Sequence, residues 1–219
     1  MAKRQTSHDY AVIGLGRFGA SLALKLMALG HSVLGIDRNV TLTQSFADEL
    51  TQTIAFDATD EDALRAIGFA EFDTVIVAIA DDFECNLMTT VMLKELGVKR
   101  VICKASSERQ KSILLRVGAD QVILPEYEAG VQLAHRLVSP FLLNRLELEP
   151  GISVSEVRAT ASMVGRSLDE LGLRQQYGLS VLLIKGAQIV PAPGGDQRIA
   201  ADDILIVLGP DDAIALSQQ

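Results

Sequence analysis

The stretch 10–38, YAVIGLGRFGASLALKLMALGHSVLGIDR, constrains this chain more than any other. An apolar run from Ala11 to Ile13 enters Gly14, Leu15, Gly16, Arg17, Phe18 and Gly19. Apolar residues at helical spacing follow (Leu22, Leu26, Leu29) and stop at Gly30, and a second apolar run, Ser32 to Ile36, ends at Asp37. The order is strand, tight turn, helix, strand, with an acid eighteen positions beyond the last glycine, near the roughly twenty expected of a ribose-binding carboxylate. Gly14 permits the turn, Gly16 lets the backbone approach a phosphate, and Gly19 lets the helix lie close on the strand. The positive end of the helix and its unpaired N–H groups then face the anion. Asp37 would accept hydrogen bonds from ribose hydroxyls and repel a 2′-phosphate, with Arg38 beside it offsetting part of that repulsion.

A length of 219 residues with 48 % apolar composition allows one large core or two small ones. The net charge of −8 and the scatter of the Lys and Arg residues argue against nucleic acid or anionic lipid as a partner. Cys85 and Cys103 are the only cysteines, too few for a zinc site and unaccompanied by an HxxxH pattern, so they read as reduced core thiols of a cytosolic protein. Residues 1–9 lack the apolar stretch of a signal peptide, and no apolar run approaches the ~20 residues needed to span a bilayer. The expectation is a cytoplasmic protein whose membrane role, if it has one, comes through a partner.

Further along, a helical stretch Leu42 to Leu50 leads to a strand, Thr53 to Phe56, that ends at Asp57, Ala58 and Thr59. The run Thr74 to Ala80, TVIVAIA, is so uniformly apolar that it predicts a central parallel strand. Strands Arg100 to Lys104 and Gln121 to Leu124 complete six, joined by crossovers of helical length. These predict an α/β fold, a Rossmann-like doubly wound parallel sheet of order 3-2-1-4-5-6, with the ligand crevice where the order switches between the first and fourth strands. On that sheet Gly14 to Gly19, Asp37, Asp57, Ala78 to Asp82, Lys104 and Glu126 share one edge. The spacing from Glu128 to Leu143 predicts a last helix, kinked or broken at Pro140, that covers its own sheet or a second subunit. The pattern then changes to short strands and helices, a small C-terminal α+β domain. Glu147 to Gly151 marks the expected boundary, giving domains 1–145 and 146–219.

Arg17 adds a full charge and a planar fork of donors to the glycine turn, which suits a polyphosphate. Glu126 either meets a hard divalent cation such as Mg²⁺ beside the phosphates or is a first-turn glutamate favoured by its own helix. Lys104 is either a phosphate contact or a strand-end surface lysine, and Asp57 is expected at the adenine or its ribose. Hydride transfer needs a second pocket with a positioned acid or base. His8, His31 and His135 sit away from the glycine turn and no GxSxG or P-loop appears. A regulatory protein is therefore expected rather than an enzyme, an NAD-dependent oxidoreductase being the rival.

The run GLGRFGxS at Gly14 to Ser21, Asp37 with Arg38, DAT at Asp57 to Thr59, VIVAI in the fourth strand, GAD at Gly118 to Asp120, PE at Pro125 and Glu126, and GRSLxEL at Gly165 to Leu171 together resemble the RCK subunits, regulators of K⁺ conductance. More narrowly, the chain is similar to the cytosolic regulatory subunits of Ktr or Trk type bacterial potassium transporters, and one pair of lobes suits the Ktr branch. The resemblance implies a homodimer that assembles into an octameric ring beneath a membrane potassium-translocating subunit of the KtrB or TrkH kind. It implies gating by ATP/ADP exchange, with NAD(H) as the ligand in the Trk branch. It places Arg17 at the terminal phosphates, Asp37 at the ribose, Asp57 at the adenine region and Glu126 at a cation. The expected nucleotide-contact set is Gly14, Gly16, Arg17, Phe18, Gly19, Asp37, Arg38, Asp57, Ala58, Thr59, Ala78, Ile79, Ala80, Lys104 and Glu126.

Overall fold

The computed structural model describes residues 8–79, 81–138 and 141–216, and the chain divides into two compact units between Tyr127 and Glu128. Six strands form the sheet of the first unit: β1 (Asp9–Ile13), β2 (Ser32–Asp37), β3 (Gln52–Ala55), β4 (Thr74–Val77), β5 (Val101–Lys104) and β6 (Gln121–Ile123). All neighbours pair in parallel in the order β3-β2-β1-β4-β5-β6, the order that the glycine turn and five helical crossovers predict. The crossovers are α1 (Arg17–Ala28), α2 (Val40–Ser45), α3 (Glu61–Ile67), α4 (Phe83–Glu95) and α5 (Glu108–Arg116), and α6 (Pro125–Val138) follows β6.

Each central strand sends alternate side chains to opposite faces, and each face has its own core. Ile13, Ile36, Val75 and Val77 join Leu64, Phe69, Leu93 and Leu114 on one side. Val12, Val33 and Ile76 join Leu15, Ala23 and Leu50 on the other. All four residues of β4 are buried, and each of its three aliphatic side chains, Val75, Ile76 and Val77, contributes about 1.5–3 kcal/mol when withdrawn from water. The strand ends at Val77, before the expected Ala80, which lies outside the described residues. The Ala78 amide still donates to the Ile13 carbonyl at 2.7 Å. Helix α2 starts at Val40, earlier than expected, because Asn39 caps it, its side chain accepting from the Thr41 amide at 2.9 Å, and it stops at Ser45, short of the expected Leu50.

The second unit holds an antiparallel sheet of order β10-β9-β11-β8-β7, made of β7 (Leu142–Glu149), β8 (Ile152–Arg158), β9 (Ser180–Lys185), β10 (Ile189–Pro191) and β11 (Ile204–Pro210). Its helices are α7 (Leu168–Leu171), α8 (Leu173–Tyr177) and α9 (Asp211–Leu216). Two expectations are corrected here. The last helix ends at Val138, and Leu142 to Glu149 is a strand paired with β8. Glu147 to Gly151 is accordingly no boundary but the end and turn of a hairpin, with Gly151 at φ +83°. Leu142, Leu146 and Leu148 recur at even spacing, the period of a strand rather than of a helix. The predicted kink at Pro140 lies outside the described residues.

Candidate functional site

The C-terminal ends of the parallel strands open on a cleft of about 860 Å³ at the β1/β4 switch point, within the usual range for a small-molecule site. Gly14 stands at φ +99°, and a Cβ there would lie 3.0 Å from the backbone of Ala78. A Cβ on Gly19 would run into the Gly14 carbonyl oxygen, whereas one on Gly16 would meet nothing within 4 Å. The three glycines thus have separate jobs: turn, open approach and close packing of α1. Helix α1 has no side-chain hydrogen bond at its cap and no acid in its first turn, which leaves its N-terminal field to an anion.

Asp37, ending β2, is already braced. Its Oδ2 accepts from the Leu15 amide at 2.7 Å and its Oδ1 from the Asn39 amide at 2.8 Å. Asp57, just beyond β3, accepts from both the amide and the hydroxyl of Thr59, at 2.9 and 2.7 Å. Those two bonds, aided by the positive charge of Arg38, hold its carboxyl below the usual range.

Lys104 is no surface lysine, being 7 % exposed. Its Nζ donates to Glu126 Oε1 at 2.6 Å and lies 5.8 Å from the centre of the Phe18 ring. The Lys104 hydrogen bond, then the backbone amide of Glu126 itself, pulls the Glu126 carboxyl below its ordinary range, with Arg17 adding a smaller push. The other half of the rim is tied from α4. The buried Asn86 amide donates to the carbonyls of Ile79 and Lys104 at 2.7 and 2.9 Å, and Thr89 donates to Ala58 at 3.0 Å.

Of the residues expected to contact a nucleotide, Gly14, Gly16, Arg17, Phe18, Asp37, Arg38, Asp57, Ala58, Ala78, Ile79, Lys104 and Glu126 line this one cleft. Gly19 and Thr59 act behind it, on Gly14 and Asp57, and Ala80 lies outside the described residues. Asn39, Leu42, Phe56, Cys85 and Ser106 also line it and were not expected. Phe56 carries a local signal, an aromatic directly before a strand-end acid, whereas Cys85 reaches the cleft only because Asp82 caps α4 there, accepting from the Cys85 amide at 2.9 Å. Burial pushes the Cys85 thiol up, away from a reactive thiolate.

The lining carries five acids (Asp37, Asp57, Asp81, Asp82 and Glu126) against three cations (Arg17, Arg38 and Lys104). Arg17 and Lys104 stand at the glycine-turn end and Arg38 beside Asp57. Among the described residues no group of three or more His, Cys, Asp or Glu side chains is gathered to hold a metal, so a cation at Glu126 would take its remaining ligands from elsewhere. His8 precedes β1 and His31 precedes β2, at the end of the sheet opposite the cleft.

A family model described as the TrkA-N domain matches residues 10–125, and one described as the TrkA-C domain matches residues 153–216. The chain is 36 % identical over 202 residues to the Ktr system potassium uptake protein C of Bacillus subtilis (strain 168), covering 92 % of this chain and 91 % of that protein. It is 32 % identical over 208 residues to the Ktr system potassium uptake protein A of Vibrio alginolyticus, covering 94 % of each. Among solved structures, the GsuK channel shares the fold with a TM-score of 0.73 at 18 % identity, over 98 % of this chain and 40 % of that one. The NAD(P)-binding domain of an exopolyphosphatase-related protein from Archaeoglobus fulgidus matches with a TM-score of 0.54 at 25 % identity, over 60 % of this chain and 98 % of that one.

Proposed function

We propose that this chain, which belongs to the TrkA-N/TrkA-C (RCK) family of Ktr-type potassium uptake regulators, senses nucleotides and gates a membrane potassium-translocating partner. Its relatives at 32–36 % identity are Ktr system potassium uptake proteins. Among the described residues no helix is long and apolar enough to cross a membrane, so action on ion flux would pass through a partner. The observation that carries the reading is the convergence of the glycine turn, Asp37, Arg17 and Lys104 on one cleft. A ribose acceptor and a cationic phosphate end are the two halves of a nucleotide site.

ATP and ADP are the proposed ligands, with Arg17 at the terminal phosphates and Asp57 and Phe56 at the base. A divalent cation would be held by Glu126 together with phosphate oxygens. Gating requires that one shape of the assembly bind a ligand more tightly than another, and a terminal phosphate supplies such a difference. A homodimer built into an octameric ring is the proposed assembly. In support, α6 exposes Leu133 and Leu137, the latter at 73 %, an apolar stripe suited to a second copy. The proposed setting is the inner face of the cell membrane.

A second reading, NAD(H) as the ligand, is favoured by Asp37 and by the name of the Archaeoglobus domain. Calorimetric titration of the nucleotide-stripped chain with ATP, ADP, NADH and NADPH, with and without Mg²⁺, tests both. ATP and ADP binding with ATP strengthened by the cation supports the first reading, and preference for NADH with indifference to ATP replaces it with the second. Arg17→Ala is expected to weaken ATP far more than AMP; equal losses would remove Arg17 from the phosphates.

A further inference from the structure

Among the described residues of the cleft lining, Lys104 and Glu126 form an ion pair that joins a buried cation to an exposed acid: the Lys104 side chain is 8 % exposed and that of Glu126 70 %. The pair bridges three elements. Lys104 ends β5, Glu126 is the second residue of α6, and the Lys104 ammonium lies over Phe18 in the first turn of α1. An ammonium so far from water depends on its partner, since a buried charge left unpaired is costly. The same ammonium lines the cleft beside Arg17 and the open face of Gly16, where a phosphate would come to rest.

Resting on the nucleotide reading above, we infer that the Lys104–Glu126 ion pair is a phosphate-displaced latch: an entering polyphosphate takes the Lys104 ammonium and frees Glu126 and the first turn of α6. The two partners of Lys104 compete. Glu126 is monovalent and solvated, whereas a polyphosphate brings more negative charge and stronger acceptors to the same donor. Once Lys104 turns to phosphate with no divalent cation between the two, the carboxylate of Glu126 faces like charge. The start of α6 then loses its tie to β5, and α6 is the helix that carries the chain across the Tyr127/Glu128 division. By linkage, whatever holds the latch closed weakens the ligand by the same factor that the ligand weakens the latch.

The test uses the full chain, stripped of nucleotide and kept in EDTA, with ATP and adenosine as probes. Glu126→Gln removes the competitor and is expected to bind ATP about five- to tenfold more tightly, with adenosine affinity unchanged. Simple removal of repulsion would also tighten ATP, so the same substitution is made in a Lys104→Met background, where the latch predicts that the gain disappears. Hydrogen exchange on the wild-type chain keeps the test independent of how the variants fold. ATP is expected to speed exchange at amides 129–133 of α6, and adenosine to leave it unchanged. ATP binding with no gain in Glu126→Gln, a gain kept in Lys104→Met, or unchanged exchange overturns the latch and leaves the nucleotide reading standing. Absence of ATP binding to the wild-type chain overturns the nucleotide reading and the latch with it.

Discussion

The Asp37 carboxylate accepts the Leu15 amide at 2.7 Å through one oxygen and the Asn39 amide at 2.8 Å through the other. The end of β2 therefore holds the glycine turn that follows β1, and the same side chain sets the start of α2. Each carboxylate oxygen has a second lone pair, so capacity to accept ribose hydroxyls remains. The acid is a brace for the turn as well as a candidate ligand contact.

This dual role makes Asp37→Asn informative. The amide keeps one acceptor and turns an NH₂ toward one of the two backbone amides, so a charge-assisted bond worth about 1.5–3 kcal/mol is lost. Urea unfolding should show a lower midpoint with unchanged slope, and ATP, ADP and NADH should all weaken together, since they share the ribose. Unchanged stability would remove the brace.

Gly16 and Gly19 lie three residues apart and are expected to behave oppositely. Gly16→Ala meets nothing within 4 Å and sits at extended φ/ψ, so stability should stay within about 0.5–1 kcal/mol. Its methyl would occupy the phosphate approach, and ATP affinity should fall at least about tenfold. Gly19→Ala drives a methyl into the Gly14 carbonyl and should cost about 1–3 kcal/mol or prevent folding. Thermal melts of the two variants, followed by titration of the one that folds, check both halves. Full ATP affinity in Gly16→Ala would move the phosphates away from the turn.

The sheet and cleft were legible because their signals are local. A glycine turn between an apolar strand and a helix, the acids Asp37, Asp57 and Glu126 at or just past the ends of β2, β3 and β6, and the uniform TVIV of β4 set the order and the edge. The polar ties behind the rim were not legible. Asn86, Thr89 and Thr90 interrupt the apolar face of α4 as though it were solvated, yet all three are buried. Beside the nearby Ile79, the carbonyls that accept from Asn86 and Thr89 lie far away in sequence, at Lys104 and Ala58. The burial of Lys104 was hidden for the same reason, since Phe18 and Glu126 reach it from distant segments. Strand β7 was missed because Leu142 continued the helical spacing of Val131 and Ala134 across the segment where the period changes.

Asn86 supplies a stability prediction with no ligand in it. Its amide donates to two carbonyls, from the ends of β4 and β5, at 1 % exposure. Asn86→Leu takes the donor from both acceptors, the one at Lys104 buried and the one at Ile79 part-buried, at up to about 1–3 kcal/mol each. A loss of about 2–5 kcal/mol in denaturant unfolding is expected. A loss below 1 kcal/mol would mean that water replaces the amide.

Asp120 sets an acid limit on the first unit. Burial alone would raise its carboxyl, but the Val101 amide at 2.7 Å and the Lys94 ammonium at 2.9 Å outweigh it and hold the group below its ordinary value. A folded pKa below the unfolded value of about 3.9 means that the folded chain keeps Asp120 ionised when the unfolded chain has begun to protonate it. The stabilisation is then fully present above about pH 5 and is lost as the pH falls through the folded pKa. Because the side chain is 39 % exposed, screening limits the contribution to about 1 kcal/mol. Asp120→Asn should therefore lower stability by about that amount at pH 7, with the gap to the native chain closing as the pH falls below about 4. Urea unfolding of both chains across that range measures the gap, and a difference that stays constant down to pH 2.5 would show that Asp120 acts through shape rather than through its charge.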